Sequence, residues 1–172
     1  MPRLPEITAA NKENQTAFDY LLKTRGAVRG GFAVMLASPE VTQRIAHVGS
    51  YVRFDSPVEK LFRELAATVA SAELENPFEY VVHARQCRQL GVNEVVVQAV
   101  LDRSPVSGAS EDQMIAINFA RELTREHKLS DATFQAARKR LGDAGVVDLI
   151  AAIGYYAMIA VCHVALEIEA PK

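Results

Sequence analysis

An all-α bundle is the fold class this sequence predicts, and three observations carry it. Helix start and stop signals recur along the chain, strand-like alternation is almost absent, and the connections between periodic segments are short. Short links imply antiparallel neighbours, in a bundle of about eight helices. At 172 residues the chain is long enough to bury its own core, so residues 1–172 are read as one domain. Residues 1–35 form a less diagnostic helical extension of it.

The first amphipathic segment covers residues 11–24, with Phe18, Leu21 and Leu22, and Gly26 and the Gly30-Gly31 pair bring it to an end. Ser38-Pro39-Glu40 supplies a cap and a first-turn proline for a helix carrying Val41, Ile45, Val48 and Val52 on one stripe. That helix ends near Phe54-Asp55. Ser56-Pro57-Val58-Glu59 repeats the signal, with an acidic residue three places after the serine, and predicts a helix to about Ala72. Asn76-Pro77 opens the next, which runs to Leu90 and stops at Gly91. Asn93 caps a short apolar helix from Val95 to Leu101, and a Ser/Pro/Gly-rich loop from Arg103 to Ala109 follows it. Ser110 caps a helix to about Lys128, and Ser130 caps another to Leu141, closed by Gly142. The last helix spans about Val146 to Glu169.

Composition excludes several functions. Net charge is −2, from 19 basic and 21 acidic residues without a block of either sign, so neither a nucleic-acid surface nor a polybasic membrane patch is expected. Cys87 and Cys162 are far apart and form neither a CxxC nor a zinc-ligand spacing. A reducing cytoplasm is therefore the expected location. Met1-Pro2-Arg3-Leu4-Pro5-Glu6 lacks the apolar run of a signal peptide. The run Leu149–Cys162, between Asp148 and His163, is shorter than the roughly 20 residues a membrane span needs. It reads as a helix buried on most sides, in the domain centre or against a sister subunit.

The chemistry centres on Glu64, Glu79 and His83. Glu79 and His83 stand four residues apart, one turn apart on one helix face, and each shifts the other's proton affinity. Glu64 lies in the strongly apolar Leu61–Ala70 segment, where a lone carboxylate needs a partner. Arg63, Lys60 or another helix's arginine are its bland partners, and His83 the functional one. On spacing alone, Glu79 better fits the reach-back position of a capping box with Asn76. His83, taken alone, better fits a satisfied core histidine, and Tyr155-Tyr156 and His163 fit polar tips bonded inside a core or interface. Cys87 lies one turn beyond His83, which keeps a redox reading open, although a buried cysteine is usually a small apolar side chain. Arg53 and Arg85 suit an anionic substrate, since arginine grips carboxylates bidentately. No metal site is expected, because Glu79 and His83 lack an evident third ligand.

In these residues the chain resembles the carboxymuconolactone decarboxylase family, whose other branch is alkyl hydroperoxidase D-like. The resemblance lies in Arg63-Glu64-Leu65, Glu79-x-x-x-His83-x-Arg85 and Leu90-Gly91-Val92-Asn93. It continues in Ile153-Gly154-Tyr155-Tyr156-Ala157-Met158-Ile159-Ala160 and Ala165-Leu166-Glu167-Ile168-Glu169. The hydroperoxidase branch carries a CxxC whose cysteines would align with Asn76 and Glu79, so its disulfide mechanism does not carry over. The resemblance implies an all-helical bundle built round a helical hairpin, assembly into trimers or hexamers, and a proton relay through Glu64 and His83. It further implies a cytoplasmic lyase of aromatic-compound degradation, acting on a small carboxylated lactone or related acid without a cofactor. His83 is then the expected general acid/base, Glu79 its tuning partner, Glu64 the end of the relay, and Arg85 and Arg53 the substrate-binding cations. The alternatives are a thiol-dependent, peroxiredoxin-like peroxidase or reductase using Cys87, and a non-catalytic oligomeric binding protein.

Overall fold

The structure is a computed structural model describing residues 1–169. Among these residues there are eight α-helices and no strands. They are α1 (Gln15–Arg25), α2 (Gly31–Met35), α3 (Pro39–Ser50), α4 (Lys60–Glu73), α5 (Pro77–Gln89), α6 (Glu94–Leu101), α7 (Glu111–Arg121) and α8 (Asp131–Leu166). A π-helical turn extends α3 through Tyr51–Asp55, and another extends α7 through Glu122–Glu126.

Helix α4 is the axis of the bundle. Phe62, Leu65, Val69 and the run of small residues Ala66, Ala67, Ala70, Ser71 and Ala72 are all buried, so α4 has almost no solvent face. Small side chains let α5, α7 and α8 approach it closely from different sides. Helices α4 and α5 form the predicted antiparallel hairpin, linked by Leu74–Asn76 with Glu75 in the left-handed region at φ 54°. A smaller cluster of Ala17, Leu21, Leu36 and Ala46 holds α1 against α3.

Three of the predicted caps form, while Ser38 precedes α3 without a side-chain cap bond. Ser110 and Gln113 make a reciprocal capping box, Asn93 accepts from the Val95 N–H, and Ser130 accepts from the Thr133 N–H. Gly142 breaks the last segment with φ 72° and ψ 174°, so α8 is two helical stretches joined at a kink, close to the expected pair. The expected start at Ser56 is wrong: α4 begins at Lys60, with Glu59 at the cap position. The Ser56 hydroxyl accepts from the Val58 N–H at 3.3 Å and donates to the Asp148 carboxylate of α8 at 2.7 Å, so it holds a turn ahead of α4 and ties that turn to α8. The single stripe on α3 is also wrong, since Ile45 and Val52 are buried while Val41 and Val48 are exposed. The Gly30-Gly31 pair does not simply end a segment, because Gly31 begins the short helix α2.

Helix α8 is long and apolar enough to cross a membrane by length and composition. Its inner side, with Leu149, Ala152, Ile153, Tyr156, Ile159 and Ala160, is buried against the bundle. Within one chain the other side is open, with Val147, Ile150, Met158, Val161 and Val164 exposed, so of the two expected surroundings the domain centre covers only the inner side.

At the C-terminus of α4, the Glu73 carboxylate is 4% exposed and accepts two hydrogen bonds from Arg125, at 2.6 and 2.9 Å, with Arg121 at 3.6 Å. A bidentate pair of this kind ties α4 to the turn after α7. Substituting Glu73→Ala strands the largely buried Arg121 guanidinium without its carboxylate. The expected cost is about 3 kcal/mol, read as a lower urea midpoint at an unchanged m-value.

Candidate active site

The α4–α5 hairpin sets Glu64 on α4 opposite His83 on α5, while Glu79 lies one turn before His83 on the same face. The His83 ring is buried, with Nδ1 at 2.6 Å from Glu64 Oε2 and Nε2 at 3.2 Å from Glu79 Oε2. The edge of Tyr156, from α8, meets the ring at a centroid distance of 4.4 Å. The bland partners of Glu64 are engaged elsewhere. Arg63 donates to the carbonyls of Val52 and Arg53, and Lys60 donates to Gln86.

Glu79 does not close the capping box with Asn76. The Asn76 backbone N–H already donates to the Ser71 carbonyl at 2.8 Å, so the reach-back bond has no donor to meet. The Glu79 carboxylate is free for the ring, and the Asn76 amide nitrogen lies 3.5 Å from His163 Nδ1 instead.

Both ring nitrogens of His83 thus face carboxylates. Two N–H donors require an imidazolium; a neutral ring has one, and the remaining proton must then sit on a glutamate. Burial opposes the charge on His83, but the hydrogen bonds to Glu64 and Glu79 outweigh it and raise its pKa above the ordinary histidine value. His163 differs: burial lowers its pKa, and the Glu79 carboxylate only partly offsets this.

Beside the relay opens a cavity of about 520 Å³. Glu79, His83, Tyr155, Tyr156 and His163 line it, together with Phe32, Phe78 and Val82. Three arginines, Arg25, Arg29 and Arg53, line it as well, as does Glu169, whose carboxylate pairs with the Met1 ammonium at 2.8 Å. Arg25 lies over the Phe32 ring at 4.3 Å and donates to the Ala46 carbonyl. An apolar cavity with clustered arginines and a buried proton relay suits a small anion that reacts by proton transfer.

The site differs from the sequence reading at two residues. Arg85 is exposed on the outer face of α5 and does not line the cavity, because it lies two residues from His83 and therefore points away from it. Cys87 lies beneath the relay, fully buried and outside the cavity wall. Burial pushes its thiol up to about 11, despite an offsetting hydrogen bond with Thr68 at 3.3 Å. The sequence does not single out Arg25, Arg29 or His163 as site residues. The two arginines flank Gly26 in the extension whose pattern says least, and only a fold places them beside His83. Among the described residues no group of three His, Cys, Asp or Glu side chains is arranged to hold a metal ion.

Solved structures match this architecture over nearly its whole length. The peroxidase-related protein from Ralstonia eutropha JMP134, an alkylhydroperoxidase AhpD core, superposes with a TM-score of 0.75 at 16% identity, covering 99% of this chain and 93% of that one. This chain has the AhpD fold. The debrominase Bmp8, solved as a cysteine-to-alanine variant with 2,3,4-tribromopyrrole, matches with a TM-score of 0.75 at 12% identity, over 99% and 94% of the two chains. An Agrobacterium tumefaciens protein of unknown function matches at 0.70 and 21% identity, over 84% of this chain and 99% of that one. No protein-family model and no curated protein matches the chain.

The AhpD fold here encloses a titratable group that favours its charged form when folded, and the sign of its effect on stability follows. A raised folded pKa contributes stability that is fully present below about pH 6.5 and is lost as pH rises through the folded pKa. The melting temperature of the wild type should therefore fall along that rise, and a His83→Gln variant should lack that part of the slope. Parallel pH–melting curves for the two proteins would show that the ring carries no such linkage.

Proposed function

We propose that this protein is a lyase that removes carbon dioxide from a small carboxylated lactone or related acid by acid/base catalysis. The single observation that supports it most is the imidazole of His83 gripped by two carboxylates at the wall of a cavity holding three arginines. In this reading Arg25, Arg29 and Arg53 hold the substrate carboxylates. The carbon–carbon bond to one carboxylate breaks, carbon dioxide leaves, and its electron pair moves onto the lactone carbonyl oxygen. The substrate carbonyl is thus its own electron sink, and the step requires no cofactor. Glu79 is the end of the relay nearest the cavity, so a proton of the imidazolium reaches the substrate carbon through Glu79. Glu64 holds the opposite N–H and steadies the ring. Solvent returns the proton consumed.

The AhpD-fold neighbours include peroxidase-related proteins and a debrominase, so the choice among chemistries rests on the residues of this site. The thiol-dependent alternative asks Cys87 for a thiolate. Its burial and its thiol, pushed up to about 11, speak against one near neutral pH.

Carboxymuconolactone is the first substrate to test, with carbon dioxide release as the readout. His83→Gln is expected to lower kcat by roughly 100- to 10,000-fold with helicity retained, while Cys87→Ser keeps wild-type turnover. Wild-type turnover by His83→Gln would take the ring out of the mechanism. Inactive wild type across related carboxylated lactones would favour the non-catalytic reading.

The reading also includes self-association, as a trimer or hexamer, through the outer side of α8. Val147, Ile150, Met158 and Val161 form an apolar stripe at helical spacing, with Val147 and Val161 each 63% exposed. Val161→Asp should shift the mass measured by light scattering from an assembly to a monomer. An unchanged mass would move the interface to another face.

A further inference from the structure

His163 has no part in the relay, yet its ring stands on the same cavity. It comes from the last turns of α8, is buried, and meets the edge of Phe78 at a centroid distance of 4.8 Å. Asn76 directs its amide nitrogen at Nδ1. With Nδ1 accepting, a neutral ring carries its proton on Nε2. Among the described residues no protein group hydrogen-bonds Nε2, which lies against Gly31 at the cavity wall. A Cβ at residue 31 would collide with Nε2, so only glycine lets the ring reach this place.

Glu79 touches both imidazoles. One of its oxygens bonds His83, and the other lies 3.9 Å from His163 Nδ1. The two rings are nevertheless tuned in opposite directions, His83 toward the cation and His163, through burial, toward the neutral form. A neutral imidazole keeps its proton while lending it as a hydrogen bond, which suits an oxygen whose negative charge grows in the transition state.

We propose that His163 is the oxyanion-holding residue of this site, its Nε2–H donating to the lactone carbonyl oxygen as that oxygen takes up the electron pair of the broken carbon–carbon bond. The assignment rests on the lyase reading above. The enolate oxygen carries the charge until the relay protonates the carbon, and Nε2 retains its hydrogen throughout.

His163→Leu removes the donor at similar bulk, and its kcat should fall roughly 100- to 1,000-fold with KM changed by less than about threefold. His163→Gln, which carries an amide N–H near the place of Nε2, should recover at least about tenfold of that loss. Wild-type kcat in the leucine variant overturns the proposal, as does an equal loss in both variants at unchanged melting temperature. The wild-type protein gives a check that does not depend on a variant folding. A lactone lacking the departing carboxylate should, at saturation, move the His163 Nε2–H resonance downfield. A bound lactone that leaves this resonance unmoved removes the oxyanion role alone. No lactone binding and no carbon dioxide release by the wild type remove the lyase reading beneath it.

Discussion

A buried imidazole with a carboxylate against each nitrogen can satisfy both contacts only by holding one proton more than a neutral ring between two ionised acids. That proton is the constraint around which the centre of this molecule is built. It requires the two acids to arrive from separate turns, which the α4–α5 hairpin provides. It also requires the surroundings to be dry enough for the hydrogen bonds to count, and a central α4 without a solvent face provides that. The Tyr156 ring seals the third side from α8. The cavity then borders the relay where Glu79 meets it, so a proton store and the space for a small anion share one wall.

The helices are largely legible in the sequence because their signals are local. Proline in the first turn, serine or asparagine caps and closing glycines depend on near neighbours in sequence, and most helix ends fall within a few residues of the expected places. Failures come where the chain makes a bond that the cap pattern does not foresee. Ser56 holds a turn ahead of α4 and bonds Asp148 as well, and the Asn76 N–H is taken by the Ser71 carbonyl at the end of α4, which leaves Glu79 no box to close. Capping rules treat one helix end at a time; here Ser56 is shared with α8, and Asn76 with the end of the preceding helix.

The same division holds in the site. The Glu79–His83 pair is visible because helix periodicity places residues four apart on one face, and Glu64 because a lone acid in an apolar run demands a partner. Proximity in sequence does not rank the arginines correctly. Arg85, two residues from His83, points outward, while Arg25, far away in the chain, faces the cavity. His163 reads from the sequence only as a polar tip within a core. Its meaning depends on Asn76, Glu79 and Gly31 meeting it, three residues from two elements and a loop that no local pattern connects.

By the resemblance in sequence, Asn76 and Glu79 fall where the hydroperoxidase branch would carry its two cysteines, and here both side chains point at the histidines of the site. Glu79 bonds His83, and the Asn76 amide faces His163. These two positions present an acid and an amide to the site, and neither is a thiol. Cys87 offers no open thiol either, since it is buried beside Thr68 with its thiol pushed up to about 11. Electron-transfer chemistry at this place needs a nucleophilic sulfur open to the cavity, whereas proton-transfer chemistry needs titratable oxygen and nitrogen atoms in contact. The atoms that line this cavity are of the second kind. Two imidazoles share one carboxylate yet are tuned in opposite directions by their hydrogen bonds and burial, one toward the cation and the other toward the neutral ring.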